Sequence, residues 1–122
     1  MFYAGITKGC TAIGSAMMLG ATRGGTADAL LQELSESQPM LLNWMRGFVS
    51  RMPPKAYRWV AEMEEIGTFL DGIAGGHDAY DAIARLYQHI ADVQAQPRKA
   101  DDTVGQLDLF CAMEAPPARK SA

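Results

Sequence analysis

The sequence predicts an all-α fold, a bundle of about five helices. Apolar residues recur at steps of three and four, and no segment alternates as a strand would. Gly or Pro pairs interrupt the pattern at 24–25, 53–54 and 75–76. With 122 residues, 48% of them hydrophobic, the chain forms one domain at most, large enough for a modest core.

The first helix is expected from about Phe2 to Thr22, with Phe2, Ile6, Cys10, Ile13 and Met17 near one face. No Ser, Thr, Asp or Asn stands before the apolar run to cap it, so the chain reads as starting inside a helix that continues from a larger protein. Gly24-Gly25 ends this helix. Thr26 is expected to cap a short second helix carrying Leu30, Leu31 and Leu34, and Ser37 a third carrying Met40, Leu41, Trp44, Phe48 and Val49. Met52-Pro53-Pro54 breaks the chain, because proline lacks the helical N–H and restrains the residue before it. A fourth helix from about Lys55 to Ile73 places Val60, Met63, Ile66 or Gly67, Leu70 and Ile73 inward. Asp78 is expected to open the last helix, with Ile83, Leu86, Tyr87 and Ile90 inward. The helical domain is therefore drawn at 1–96. Residues 97–122 read as a largely disordered tail, in which Val104, Leu107, Leu109 and Phe110 are able to dock as a short apolar piece.

Charge and motifs exclude several functions. Fourteen acidic residues against eleven basic ones give a formal charge of −3, and the Lys and Arg are scattered, so no nucleic-acid footprint is expected. The uncharged stretch Gly9–Thr22 is too short for a membrane span, and no signal peptide is visible. Cys10 and Cys111 read as reduced, cytoplasmic thiols. His77 and His89 read as surface or cap residues, and no metal pair or standard nucleophile motif is present.

The first helix carries the more specific signals. Gly5, Gly9, Gly14 and Gly20 each cost roughly 0.5–1 kcal/mol relative to alanine in a helix, so they need a compensating close approach. That approach is either tight helix packing or a site reached by a ligand. Lys8 is the only charge between Phe2 and Thr22, and in so apolar a setting it calls for an anionic partner such as a phosphate or carboxylate. A second block, Lys55-Ala56-Tyr57-Arg58-Trp59-Val60-Ala61-Glu62-Met63-Glu64-Glu65-Ile66, places Arg58 and Glu62 at i, i+4, the spacing of a self-supporting helical face; the alternative is a position beside a ligand.

These two blocks, Tyr3–Gly9 and Pro54–Ile66, carry a family resemblance. The chain resembles the C-terminal helical domain of the β-hydroxyacid dehydrogenase superfamily, which includes 6-phosphogluconate and 3-hydroxyisobutyrate dehydrogenases. It is most similar to the C-terminal domain of phosphogluconate-dehydrogenase-like NAD(P)-dependent oxidoreductases, over roughly Met1 to Gln94. The resemblance implies an N-terminal Rossmann domain as partner, a homodimer, and hydride transfer between a small hydroxy acid and NAD or NADP. In 6-phosphogluconate dehydrogenases a catalytic lysine precedes Met-Val-His-Asn-Gly-Ile-Glu-Tyr-Gly. Laid on this chain, the shared Met, Gly-Ile and Gly fall on Met1, Gly5-Ile6 and Gly9, so that lysine would precede Met1 and no catalytic residue is expected here. The family's His falls on Tyr3, its Asn on Ala4, its acid on Thr7 and its substrate-contacting Tyr on Lys8, and the loss of the acid at Thr7 argues against decarboxylation of 6-phosphogluconate.

Tyr3, Thr7 and Lys8 are the substrate-binding candidates, for a small anionic substrate. The isolated chain, lacking a phosphate-cradling glycine loop, is expected neither to hold NAD(P) tightly nor to turn over. The first helix also offers more apolar surface than the short helices can cover, so a dimer or partner domain is expected. The alternative is a stand-alone helical assembly protein that associates through its glycine-lined first helix.

Overall fold

The computed structural model describes residues 1–115 and 117, and among them the chain is all-α. Helices α1 (Phe2–Arg23), α2 (Ala27–Ser37) and α3 (Pro39–Arg51) lead through a 3-10 turn at Pro53–Lys55 to α4 (Ala56–Phe69), α5 (Gly76–Gln94) and α6 (Thr103–Ala112). No helix among the described residues is long and apolar enough to cross a membrane.

Local chemistry sets most boundaries. Helix α1 begins without a side-chain cap. It ends in a Schellman arrangement: Gly25 adopts φ +76°, its N–H donates to the Thr22 carbonyl, and the Thr26 N–H donates to the Ala21 carbonyl at 2.8 Å. Thr26 stands at the N-cap of α2 but its hydroxyl turns back to the Ala21 carbonyl instead of capping. Ser37 does not cap α3; it is the last residue of α2 and donates to Glu33 Oε1, while Gln38 precedes Pro39 at the first position of α3. Helix α4 stops at Phe69, short of Ile73, which is largely exposed. Helix α5 starts at Gly76, two residues before Asp78, because Gly75 takes φ +79° and sets the turn.

The core runs through all six helices, with Leu31, Val49, Met63, Ile66, Tyr87 and Phe110 among its buried members. The face of α1 turned into it is the small-residue face: Gly5, Gly9, Ala12, Gly14 and Ser15 are buried together with Thr11, Met18 and Leu19. Buried hydroxyls on that face satisfy themselves on their own helix, Thr11 donating to the Thr7 carbonyl at 2.7 Å and Ser15 to that of Thr11 at 2.8 Å. Phe2, Ile6, Ile13 and Met17 point the other way, each with more than half its surface in water.

Three of the four glycines of α1, Gly5, Gly9 and Gly14, are packing devices within this chain, whereas Gly20 faces open space. A Cβ on Gly9 would lie 2.9 Å from Tyr80 Oη, and one on Gly14 2.9 Å from Met45 Sδ. At Gly5, Gly9 and Gly14 the face read as a self-association surface packs against Tyr80 of α5, Ile66 of α4 and Met45 of α3.

The boundary drawn at residue 96 also moves. Past Pro97 the chain turns and forms α6, whose Thr103, Val104, Leu107 and Phe110 are buried. Asp102 is a working N-cap, accepting from Gly105 N at 2.7 Å and Lys99 N at 3.0 Å. Those backbone donors, Lys99 first, hold its carboxyl below the usual range. A helix anchored by three apolar residues and a charged cap replaces the expected disordered tail over Thr103–Ala112. The remainder of that tail, 116 and 118–122, lies outside the described residues.

Candidate functional site

Helix geometry divides the three candidate residues. Tyr3 and Thr7, four apart, share one side of α1, whereas Lys8 is turned about 100° from Thr7 and faces α4. Tyr3 is 80% exposed. Thr7 is half-buried, its hydroxyl donating to the Ala4 carbonyl at 3.4 Å. None of the three is sealed inside the core.

Lys8 has the anionic partner its setting demands, and this chain supplies it. Its Nζ lies 2.5 Å from Glu62 Oε1 on α4, with side chains 23% and 37% exposed respectively. The same ammonium sits over the Trp59 ring, 4.9 Å from its centroid, one turn N-terminal to Glu62. Trp59 in turn meets the Tyr87 ring edge-on, centroids 5.2 Å apart and planes at 88°. Glu62 thus pairs across helices and not with Arg58, which lies against the Tyr57 ring.

Two tyrosines of α5 tie this part of α1 down. Tyr80 donates to the Gly5 carbonyl at 2.7 Å, and Tyr87 donates to the Lys8 carbonyl. Burial raises the pKa of both phenols, so they remain neutral donors. Close approach of Tyr80 is possible because Gly5 and Gly9 present no side chains. The result is a cationic head held by a carboxylate and an indole, on a backbone fixed by two phenols, at a surface open to water.

Other features lie apart from this cluster. A groove of about 310 Å³ lined by Glu64, Asp81, Arg85 and Gln88 runs between α4 and α5 and contains none of the candidates. An apolar groove of about 270 Å³ lies beside the exposed face of α1, lined by Cys10, Ile13, Met17, Leu30, Leu34 and Leu41. His77 bridges Asp71 at 2.9 Å and Asp81 at 3.3 Å at the start of α5, and the Asp71 hydrogen bond raises its pKa. Among the described residues no group of three or more His, Cys, Asp or Glu is placed to hold a metal ion.

Among the described residues no strand leads into a glycine-rich turn of the kind that cradles a dinucleotide phosphate. The glycine-opened helix, α5, carries Asp78 in its first turn, where a phosphate would be repelled.

Tyr80 and Tyr87 escaped the sequence as site residues, while Trp59 and Glu62 lie in the second block, for which a position beside a ligand is the alternative reading. The isolated charge of Lys8 demands a counter-ion without saying where it comes from. A family model described as a domain of unknown function, DUF1932, matches residues 21–90. The match takes in Trp59, Glu62, Tyr80 and Tyr87, and leaves Tyr3, Thr7 and Lys8 before it. No curated protein and no solved structure matches the chain.

Proposed function

The chain belongs to the DUF1932 family, and from that premise we propose that it is the substrate-side and dimerisation domain of an NAD(P)-dependent oxidoreductase acting on a small, anionic hydroxy acid. DUF1932 is known from NAD(P)-binding hydroxyacid dehydrogenase-like proteins, which supports the reading. The observation that carries it is the placement of the candidates: Tyr3, Thr7 and Lys8 lie at a solvent-facing surface, next to the exposed apolar residues Phe2 and Ile6. A surface of this composition suits a cleft between two modules, apolar where the modules meet and polar where a substrate enters. The nicotinamide belongs on the partner Rossmann domain. In this chain Tyr3 and Thr7 supply hydroxyls to the substrate and Lys8 supplies the cation that its carboxylate faces.

The test is steady-state reduction of NAD or NADP by a panel of hydroxy acids, with this chain joined to its nucleotide-binding module. Lys8→Ala is expected to raise KM about tenfold with a smaller change in kcat, because one charge-assisted contact is worth ~1.5 kcal/mol. Absence of turnover on every hydroxy acid by a folded two-module protein overturns the proposal.

A further inference from the structure

The Lys8 ammonium already holds a carboxylate. Glu62 Oε1 stands 2.5 Å away, and both side chains are reachable by solvent. Tyr87 anchors the Lys8 backbone through its carbonyl, and the ammonium lies over Trp59 as well as against Glu62. A carboxylate on the same fold competes with a free anion at an effective concentration of order millimolar or above. Any oxyanion reaching Lys8 from solution therefore competes with it.

We propose that Glu62 is a specificity-determining residue: it occupies the anion position on Lys8, so free small oxyanions are rejected and only an anionic substrate anchored through further contacts displaces it. This inference rests on the reading of Lys8 as substrate-facing. It adds that the site selects by the sum of its contacts and not by charge alone. Phosphate and carboxylate, both abundant as free anions, are thereby prevented from occupying the position.

The test follows the lysine side-chain NMR signals of the full chain during titration with inorganic phosphate, and separately acetate, at constant ionic strength. In the wild-type chain the Lys8 signal is expected to respond far less than that of Lys55, which is exposed and serves as reference. Glu62→Gln keeps the shape and removes the charge, and is expected to strengthen the Lys8 response up to about fivefold, the upper range for an ion pair of this exposure. Adding Lys8→Gln to that variant is expected to abolish the gain. A Glu62→Gln response equal to wild type overturns the inference. Should that variant not fold, a wild-type Lys8 signal that titrates as readily as Lys55 overturns it equally. Either failure leaves the turnover assay of the two-module protein untouched, so the two proposals fail separately.

Discussion

Gly9→Ala provides the sharpest test of how α1 is seated. In an open helix, alanine gains about 0.5–1 kcal/mol over glycine. At Gly9 the added Cβ would stand 2.9 Å from Tyr80 Oη, well inside the 3.4 Å at which ordinary contact begins. Tyr80 cannot retreat freely, because its hydroxyl is bonded to the Gly5 carbonyl at 2.7 Å. Overpacking of this kind costs about 1–3 kcal/mol, and a weakened hydrogen bond about 1 kcal/mol more. Subtracting the alanine gain leaves a net loss of ~1–3 kcal/mol. Gly20 is the control: nothing lies within 4 Å of its added Cβ, so Gly20→Ala is expected to gain ~0.5–1 kcal/mol. Tyr80→Phe removes the atom in the way, and in that background Gly9→Ala is expected to be neutral or mildly stabilising. Urea denaturation followed by circular dichroism measures all four. Equal stability of the Gly9→Ala and Gly20→Ala chains refutes the packing described for α1.

Further outcomes follow from the same structure. Phe110→Ala in α6 is expected to cost about 3–5 kcal/mol, since the ring is fully buried, and a chain ending at residue 96 is expected to unfold at lower urea than the full chain. His77 has its pKa raised by Asp71 with help from Asp81 and Asp78, so its stabilisation is fully present below its unfolded pKa and lost as pH rises through the folded one. The difference in urea midpoint between wild type and His77→Gln is accordingly expected to be larger at pH 5.5 than at pH 8. Burial pushes the Cys111 thiol up to about 11 whereas Cys10 is exposed, so at pH 7.5 a thiol-specific colour reagent is expected to modify Cys10 rapidly and Cys111 slowly.

The helical class and most element positions were legible because apolar spacing and Gly or Pro breaks act locally. The direction in which α1 faces was not, because periodicity marks an apolar stripe without saying whether it is buried. Here the smaller face won, since Gly5, Gly9 and Gly14 let Tyr80 and Met45 approach the helix backbone more closely than Ile6 or Ile13 would allow. Helix α6 was hidden for a different reason. Val104, Leu107, Leu109, Phe110 and Cys111 make it apolar on nearly every side, so no stripe emerged from its polar surroundings, and the capping role of Asp102 went unread. At the candidate site, the need of Lys8 for an anion was visible in its isolation. Glu62, 54 positions away, became its partner only through the crossing of α1 and α4.

The account depends on the outer face of α1 being a surface built to be covered, with Phe2, Ile6, Ile13 and Met17 exposed beside an apolar groove. Light scattering with a hydrophobic dye tests this directly. The chain is expected to sediment at twice 13.2 kDa or to bind the dye strongly, and the Ile6→Glu, Met17→Glu double variant to run as a 13.2 kDa monomer with unchanged helicity and no dye signal. A wild-type chain that is a monodisperse 13.2 kDa monomer and leaves the dye dark contradicts the account.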